Sequence, residues 1–322
     1  MLRLGTRGSQ LALYQAHAVQ RLLAETGGPA CEIVVIRTSG DRLQDAPLSE
    51  AGGKRLFVKE IEDALLEGAI DLAVHSSKDM PAVLPDGLAI AGVLPREDPR
   101  DAVVRPLHDS SIADLEGLLR ALGPSPVIAT SSVRRVAQLA RLVPGARFEP
   151  IRGNLDTRLR KLDDGRHQAL VLAAAGLRRL GFQERISFTL PPDVCVPAPG
   201  QGIIAIETQA EERAVRTAIA AISDPSAERA LVAERALVEA LGGGCQTPLG
   251  AFASAAGSGM LELVGMVVSL DGGREVRASA RGQERDPAGL GKRVADVLIA
   301  RGADSILDEA RRSQDAPALR HP

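Results

Sequence analysis

The sequence predicts an α/β protein built as two hinged lobes facing a cleft, followed by a smaller α+β domain. Three observations carry this. Strand-like and helix-like segments alternate along the first part of the chain. The alternation breaks at Pro95–Arg100, restarts, and is interrupted again at Pro191-Pro192 and Pro197–Gly202, so the chain crosses between two lobes twice. After that the pattern changes to helices and short strands with glycine turns, the signature of an antiparallel sheet with helices. The divisions expected are 1–97 with 198–217, then 98–197, then 218–313, leaving 314–322 as a disordered tail.

The elements follow from local pattern. Leu2–Thr6 reads as a strand, and Ser9 as the N-cap of an amphipathic helix to about Glu25, stopped by Gly27-Gly28-Pro29. Glu32–Thr38 is a β-branched run and predicts a buried strand. Ser39–Arg55 is polar, contains Gly40, Gly52 and Gly53, and has the length of a functional lid loop. Val58–Glu67 aligns Val58, Ile61 and Leu65 on one helical face, and Asp71–His75 is a strand running into Ser76-Ser77-Lys78-Asp79. Alternation of this kind predicts a parallel sheet covered by helices on both faces. In the second lobe, Val127–Thr130, Arg147–Ile151 and Ala169–Ala173 read as strands, with helices over Ser132–Leu142 and Leu155–Asp164. The last third reads as helices Glu211–Ile222 and Ala227–Leu241, short strands between Leu249 and Ala280, and helices Gly289–Arg301 and Asp304–Arg312.

Composition removes several classes of function. The formal net charge of -2 gives no basic field for nucleic acid, and the 2% aromatic content, with Tyr14 the only Tyr and no Trp, gives no base-stacking platform. No apolar run is long enough for a membrane span. The N-terminal residues pass straight into a strand-like segment without a signal-peptide core, so a cytoplasmic location is expected. Cys31, Cys195 and Cys245 form no CxxC pair, and the five histidines form no HExxH, so no metal site is expected.

Three constellations carry chemistry. Thr130-Ser131-Ser132-Val133-Arg134-Arg135 lies where a strand ends and a helix begins. Free N–H groups and a partial positive charge already stand there, so two more cations make sense beside an anion. A capped helix with solvated arginines is the plainer alternative. Arg152-Gly153-Asn154 repeats the logic one strand later, with Asn154 as N-cap and Arg158 one turn on, and Arg7 follows the first strand before Ser9. Ligands of open α/β sheets bind at such strand ends. Several carboxylates fit this spread of arginines better than a phosphate, because Gly52-Gly53-Lys54-Arg55 lacks the P-loop spacing. The second constellation is His75-Ser76-Ser77-Lys78-Asp79. Asp79 reads either as half of a surface ion pair or as a lone carboxylate that stabilises a cationic intermediate. His75 reads as a core residue. The third is Cys245 in Gly242-Gly243-Gly244-Cys245-Gln246, a thiol in an open loop or an incidental one.

Taken in order, these motifs resemble the porphobilinogen deaminase family. The resemblance spans Arg3 to about Arg312. It rests on Gly5-Thr6-Arg7-Gly8-Ser9, Gly52-Gly53-Lys54 through Phe57-Val58-Lys59-Glu60, His75 to Asp79, Glu97-Asp98-Pro99-Arg100-Asp101, Thr130 to Arg135, Arg152-Gly153-Asn154, Pro199-Gly200-Gln201-Gly202 and Gly242 to Gln246. Val133 and Met80 depart from the family's usual residues only by apolar exchange. The resemblance implies two periplasmic-binding-protein-like (transferrin-like) lobes and a third domain that presents a cofactor cysteine. It implies condensation of four porphobilinogen molecules with loss of ammonia, on a dipyrromethane held as a thioether by Cys245, with no metal. Asp79 would then be catalytic. Lys78, Asp79, Thr130, Ser131, Ser132, Arg134, Arg135, Arg152 and Gly153 would hold the cofactor. Arg7, Ser9, Lys54, Phe57, Lys59, Arg152, Arg158 and Gln201 would hold the substrate and the growing oligopyrrole. A monomer that hands its product to uroporphyrinogen III synthase is expected. Two hinged lobes with anion sites also describe a non-catalytic binding protein for a small carboxylate ligand, or a regulator's effector domain. The lack of an export signal, the lack of an evident helix-turn-helix and the glycine-flanked Cys245 speak against both.

Overall fold

The computed structural model describes residues 1–42, 58–107, 112–244 and 247–315. Lys54, Phe57 and Cys245 lie outside the described residues. The first stretch forms β1 (Leu2–Thr6), α1 (Gln10–Glu25), β2 (Cys31–Val35), α2 (Ser39–Arg42), α3 (Lys59–Leu66), β3 (Leu72–Ser76) and β4 (Leu88–Val93). The second forms β5 (Asp101–Val104), α4 (Leu115–Leu122), β6 (Val127–Ala129), α5 (Val133–Leu142), β7 (Arg147–Glu149), α6 (Leu155–Asp163), β8 (Ala169–Ala173), α7 (Ala174–Arg179) and β9 (Phe188–Leu190). Then come β10 (Ile204–Gln209), α8 (Arg213–Ala220), α9 (Pro225–Ala240), β11 (Leu249–Ala255), β12 (Met260–Val268), β13 (Glu275–Gln283), α10 (Pro287–Ala300) and α11 (Ala303–Asp315).

The two lobes share one plan. Their five-stranded sheets run β2-β1-β3-β10-β4 and β7-β6-β8-β5-β9. In each, a first strand pairs in parallel with two neighbours, and a fourth strand runs antiparallel between its neighbours. That fourth strand enters from the other lobe: β5 just after the first crossover, β10 just after the return. The expectation of parallel sheets is therefore corrected to mixed ones. A chain arriving through the hinge meets each sheet at the edge where its parallel strands end, and from there it can only run back against them. The sequence reading also left out β4, β5, β9, β10 and α7, whose short apolar runs carry little periodicity, and α4, whose Leu115, Leu118, Leu119 and Leu122 stripe behind the Asp114 N-cap was legible and missed. β2 is a half-buried edge strand, not a buried one.

Period-two alternation places the cores. In the first lobe Leu4, Leu72, Val74, Ile204 and Ile206 pack against α1 and α8, while Ala73 turns to the opposite face against Ile61 and Leu65 of α3. In the second lobe Ala102, Val104, Leu170 and Leu172 face α6 and α7, and Val103, Ala169 and Val171 face α4 and α5. The third domain is the antiparallel sheet β11-β12-β13 packed on α9, α10 and α11. The α9–α10 crossing is close because of Gly291, where a Cβ would stand 2.4 Å from the Ala233 carbonyl oxygen. α11 continues to Asp315, past the expected helix end at Arg312. Among the described residues no helix is long and apolar enough to cross a membrane.

Candidate functional site

The cleft between the lobes is a cavity of about 310 Å³. Arg7, Ser9, Lys78, Asp79, Arg135, Arg152, Gly153 and Arg158 line it, so strand-end positions far apart in sequence converge as expected. Local structure sets each one. Ser9 caps α1 by accepting from Ala12 N (3.3 Å), which fixes the turn that carries Arg7. Lys78 and Asp79 sit on a single 3₁₀ turn, Ser77–Asp79, directly after β3. The Ser77 N–H donates to Ile203 O at 3.0 Å, tying that turn to the returning chain. Arg152 and Gly153 follow β7. Asn154 stands at the N-cap position of α6 but makes no side-chain cap bond. Three further lining residues escaped the sequence reading: Gln15, whose Nε2 donates to Ser76 Oγ at 2.8 Å, Gly200, and Arg179 on the last turn of α7.

Arg134 and Arg135 correct one expectation. They need an anion, and the chain itself supplies it. Arg134 Nη1 donates to Asp101 Oδ2 at 2.7 Å and Arg135 Nε to Asp101 Oδ1 at 2.8 Å, with all three side chains buried. Burial pushes the Asp101 carboxyl up, but the two guanidiniums outweigh it and hold it well below the usual range. Arg134 also donates to Val196 O and Arg135 to Val171 O. In the sequence Asp101 stood within the Glu97–Asp101 motif, with no role assigned to it. Gln201 is corrected too. Its side chain is fully buried in the hinge, where Nε2 donates to Pro99 O (2.6 Å) and Asp101 Oδ1 (3.0 Å), and it does not line the cleft.

The hydroxyls of the 130–132 turn work locally. Ser131 Oγ donates to Ile151 O (2.7 Å) and accepts from Ile151 N (3.0 Å), holding two strand-end loops together. Ser132 caps α5 through Arg135 N, and Thr130 Oγ1 accepts from Ser132 N at 3.3 Å. Lys59 is exposed, lies 2.8 Å from Asp63 on its own helix, and does not line the cleft. His75 is a core residue, 3.1 Å from the buried Glu207 carboxylate.

The cleft holds more positive charge than it neutralises. Arg158 Nε donates to Gly153 O (2.8 Å) and Arg179 Nη2 to Gly202 O (2.7 Å); both acceptors are carbonyls, and among the described residues neither arginine hydrogen-bonds a carboxylate. Lost hydration, then the neighbouring Arg135 and Arg152, push the Arg158 pKa down to about 10. Lost hydration also pushes Lys78 down to about 8, against the pull of Asp79 and Asp101. Arg7 differs: its Nε donates to Asp41 Oδ1 at 3.1 Å, so α2 already offers it a carboxylate.

Behind the Lys78 turn lies a smaller cavity of about 80 Å³, lined by Ser77, Lys78, Ser132, Arg134 and Arg235, with Gly244 and Thr247 of the third domain on its far wall. Ser77 Oγ and Arg134 Nε are buried without hydrogen-bond partners, which is rare for polar atoms. The excess of cations in the cleft fits a small ligand that brings several carboxylates.

Comparison with known proteins agrees. The family model described as "Porphobilinogen deaminase, dipyromethane cofactor binding domain" matches residues 2–217, and "Porphobilinogen deaminase, C-terminal domain" matches residues 228–300. The chain belongs to the porphobilinogen deaminase family. The porphobilinogen deaminase of Acidithiobacillus ferrooxidans is 46% identical over 313 residues, covering 96% of this chain and 98% of that one. The protein of the same name from Syntrophobacter fumaroxidans is 45% identical over 314 residues, covering 97% and 99%. Among solved structures the chain is similar to a methionine-binding protein (14% identity, TM-score 0.44, covering 69% of this chain and 89% of that one). It is also similar to immunogenic lipoprotein A of Vibrio vulnificus (13% identity, TM-score 0.43, covering 70% and 96%). Porphobilinogen deaminase is a transferase of tetrapyrrole biosynthesis, and the matched N-terminal region is the family's dipyrromethane cofactor binding domain.

Two predictions arise from these charges. Arg134→Ala leaves Asp101 buried with only one of its two arginines, and is expected to cost about 3–5 kcal/mol of stability. Arg158→Ala, which leaves no buried carboxylate unpaired, is expected to cost markedly less, about 1 kcal/mol for its hydrogen bond to Gly153 O. Denaturant midpoints measure both, and equal shifts would refute the assignment. The second concerns Lys78. Its folded pKa lies below that of the unfolded chain, so its protonated form costs stability below pH 8, and the cost is relieved as pH rises from about 8 towards 10.5. A ligand carboxylate favours the protonated form. Porphobilinogen binding near pH 8 to a Cys245→Ser chain, expected to carry no cofactor, should therefore take up a proton, seen as a buffer-dependent heat in calorimetry. A Lys78→Met replacement in that chain should abolish the uptake.

Proposed function

We propose that this chain joins four porphobilinogen molecules head to tail, releasing one ammonia at each addition, to give the linear tetrapyrrole hydroxymethylbilane, primed on a dipyrromethane held as a thioether by Cys245. The observation that supports this reading most is one cleft containing a single catalytic-turn carboxylate, Asp79, among Lys78, Arg135, Arg152 and Arg158. Porphobilinogen brings an acetate and a propionate, and its activation creates a cation. The cleft answers both.

In this mechanism Arg7, Ser9, Arg152 and Arg158 bind the carboxylates of the incoming pyrrole and orient its aminomethyl group. The C–N bond breaks with its electron pair leaving on nitrogen as ammonia, and the Asp79 carboxylate stabilises the azafulvene-like cation left on the substrate. Asp79 also accepts from pyrrole N–H groups. When bound, the dipyrromethane would supply a free pyrrole α-carbon as nucleophile, whose C–H bond gives up its proton as the new C–C bond forms. Lys78, Arg134, Arg135 and Ser132 would hold that group's carboxylates, while Thr130, Ser131 and Gly153 shape the surrounding loops. Gln201 acts through the hinge. The chain is read as a cytoplasmic monomer. Its product, a reactive open chain, calls for prompt ring closure by uroporphyrinogen III synthase.

The test is to mix the purified chain with porphobilinogen and follow ammonia release and the denatured mass. A ladder of covalent pyrrole additions is the expected result. Arg7→His should carry the primer but stall on the ladder, with thermal stability little changed because this partly exposed pair contributes little to folding. A chain of unmodified mass that binds porphobilinogen without releasing ammonia would instead support the non-catalytic binding protein.

A further inference from the structure

α9 carries a glutamate with no solvent exposure, Glu234. A buried carboxylate is costly unless it is fully paired. Here the partners come from three separate places. Arg96, on the first crossover, donates through Nη1 (2.6 Å) and Nη2 (3.3 Å). The Gly200 N–H, on the second crossover, donates at 2.6 Å, and the Ala253 N–H of β11 at 2.7 Å. Arg96 closes the set: its Nε donates to Gln201 O at 2.9 Å, and its guanidinium carbon lies 5.0 Å from the centre of the Phe252 ring on β11.

The location matters more than the pairing energy. Gly200 has φ +71°, and a Cβ there would stand 2.5 Å from Ser77 Oγ. The N–H held by Glu234 thus belongs to backbone packed directly on the turn that presents Lys78 and Asp79. On the other side, Glu234 lies on the helix that leads into Gly242-Gly243-Gly244, and its Ala253 bond fixes the strand by which the chain returns after Thr247. One carboxylate therefore binds together both crossovers, the backbone under the catalytic turn, and the two elements that flank the third-domain loop. Packing alone does not call for a charge here. Leu231, Ala233 and Leu237 on the same helix are buried apolar residues, and a well-packed apolar side chain is often as stabilising as a buried ion pair.

We propose that Glu234 is a positioning residue that fixes the register of the α9–β11 connection against the hinge, and so sets where the anchor of the growing chain stands relative to Asp79. The inference rests on the reading that this connection carries the covalent primer. The anchor stays on the third domain throughout, while each new bond forms at Asp79. A tie between the third domain and the two crossovers gives every addition a defined starting geometry. Loosening it misplaces the reacting ends without removing any group that touches substrate.

The test is Glu234→Asp in the primed, full-length chain. Aspartate keeps the charge but is one methylene shorter, so it cannot reach the Arg96 fork and both backbone N–H groups together. The variant should fold and carry the primer mass, and its KM for porphobilinogen should stay within about twofold of the parent's. Its kcat should fall on the order of 10- to 100-fold, and its covalent ladder should pile up at different adducts from the parent's. A purely structural role would lower the melting temperature and the primed fraction, yet leave primed molecules with the parent's kcat and ladder; that result overturns the proposal. If the aspartate variant does not fold, Arg96→Lys is judged by the same readouts, because it keeps a cation beside Glu234 while losing the fork and the Gln201 bond. A parent without primer mass and without a ladder overturns the reading of the third-domain loop. A parent with both, alongside an indistinguishable Glu234→Asp chain, overturns the role of Glu234 alone.

Discussion

Cys245→Ser is expected to yield a folded chain whose denatured mass equals that of its sequence, with no attached pyrroles and with turnover at background. A thioether forms through a thiolate, and a serine hydroxyl is far too weak an acid and nucleophile to replace it. The other two thiols are chemically less suited. Cys195 is 1% exposed, and burial together with the nearby Asp101 pushes its pKa up to about 12, so almost no thiolate exists at neutral pH. Cys31, on the edge strand β2, is also raised by burial, and lies in the first lobe away from the cleft lining. The wild-type chain should carry the mass of two pyrrole units through denaturation. Peptide mapping that placed the adduct on Cys31 or Cys195, or a serine variant that retained it, would sink the assignment.

Asp79→Asn is expected to keep the fold and the primer yet lose on the order of 100- to 1000-fold in kcat, the usual loss when one well-placed electrostatic stabiliser is removed. The amide has nearly the same shape but no charge to set against a developing cation. A second consequence follows from the neighbours. Asp79 is one of the two carboxylates that hold Lys78 protonated against burial, and it also favours the charged form of Arg158. Without it the Lys78 pKa falls below about 8, so binding that needs the ammonium should weaken at lower pH than in the parent. A pH profile of kcat/KM alongside kcat measures both effects. Near-normal turnover would leave Asp79 as a surface ion-pair partner and nothing more.

The sequence by itself determined the repeated α/β pattern, the double crossing, the strand-end placement of Arg7, Lys78, Asp79 and Arg152, the place of Arg158 one turn into the next helix, and the serine cap at Ser9. Each of these is a local matter: a helix period, an N-cap, a charge set just past a β-branched run. It also carried the family resemblance, since the motifs occur in order whatever their contacts. What it did not determine is which buried groups meet. Arg134 reads as a cation waiting for a ligand until Asp101, 33 residues earlier, is found against it. Gln201 reads as a cleft residue until the fold turns its amide into the hinge. Arg96 and Glu234 are 138 residues apart, and nothing near either one names the other. Likewise the antiparallel course of β5 and β10 depends on where the hinge delivers them, not on their four and six residues. Periodicity reports the face a residue shows to its neighbours within a turn or two. Pairing of buried charge is settled by which distant segments the two crossovers bring together, and only the tertiary structure decides that.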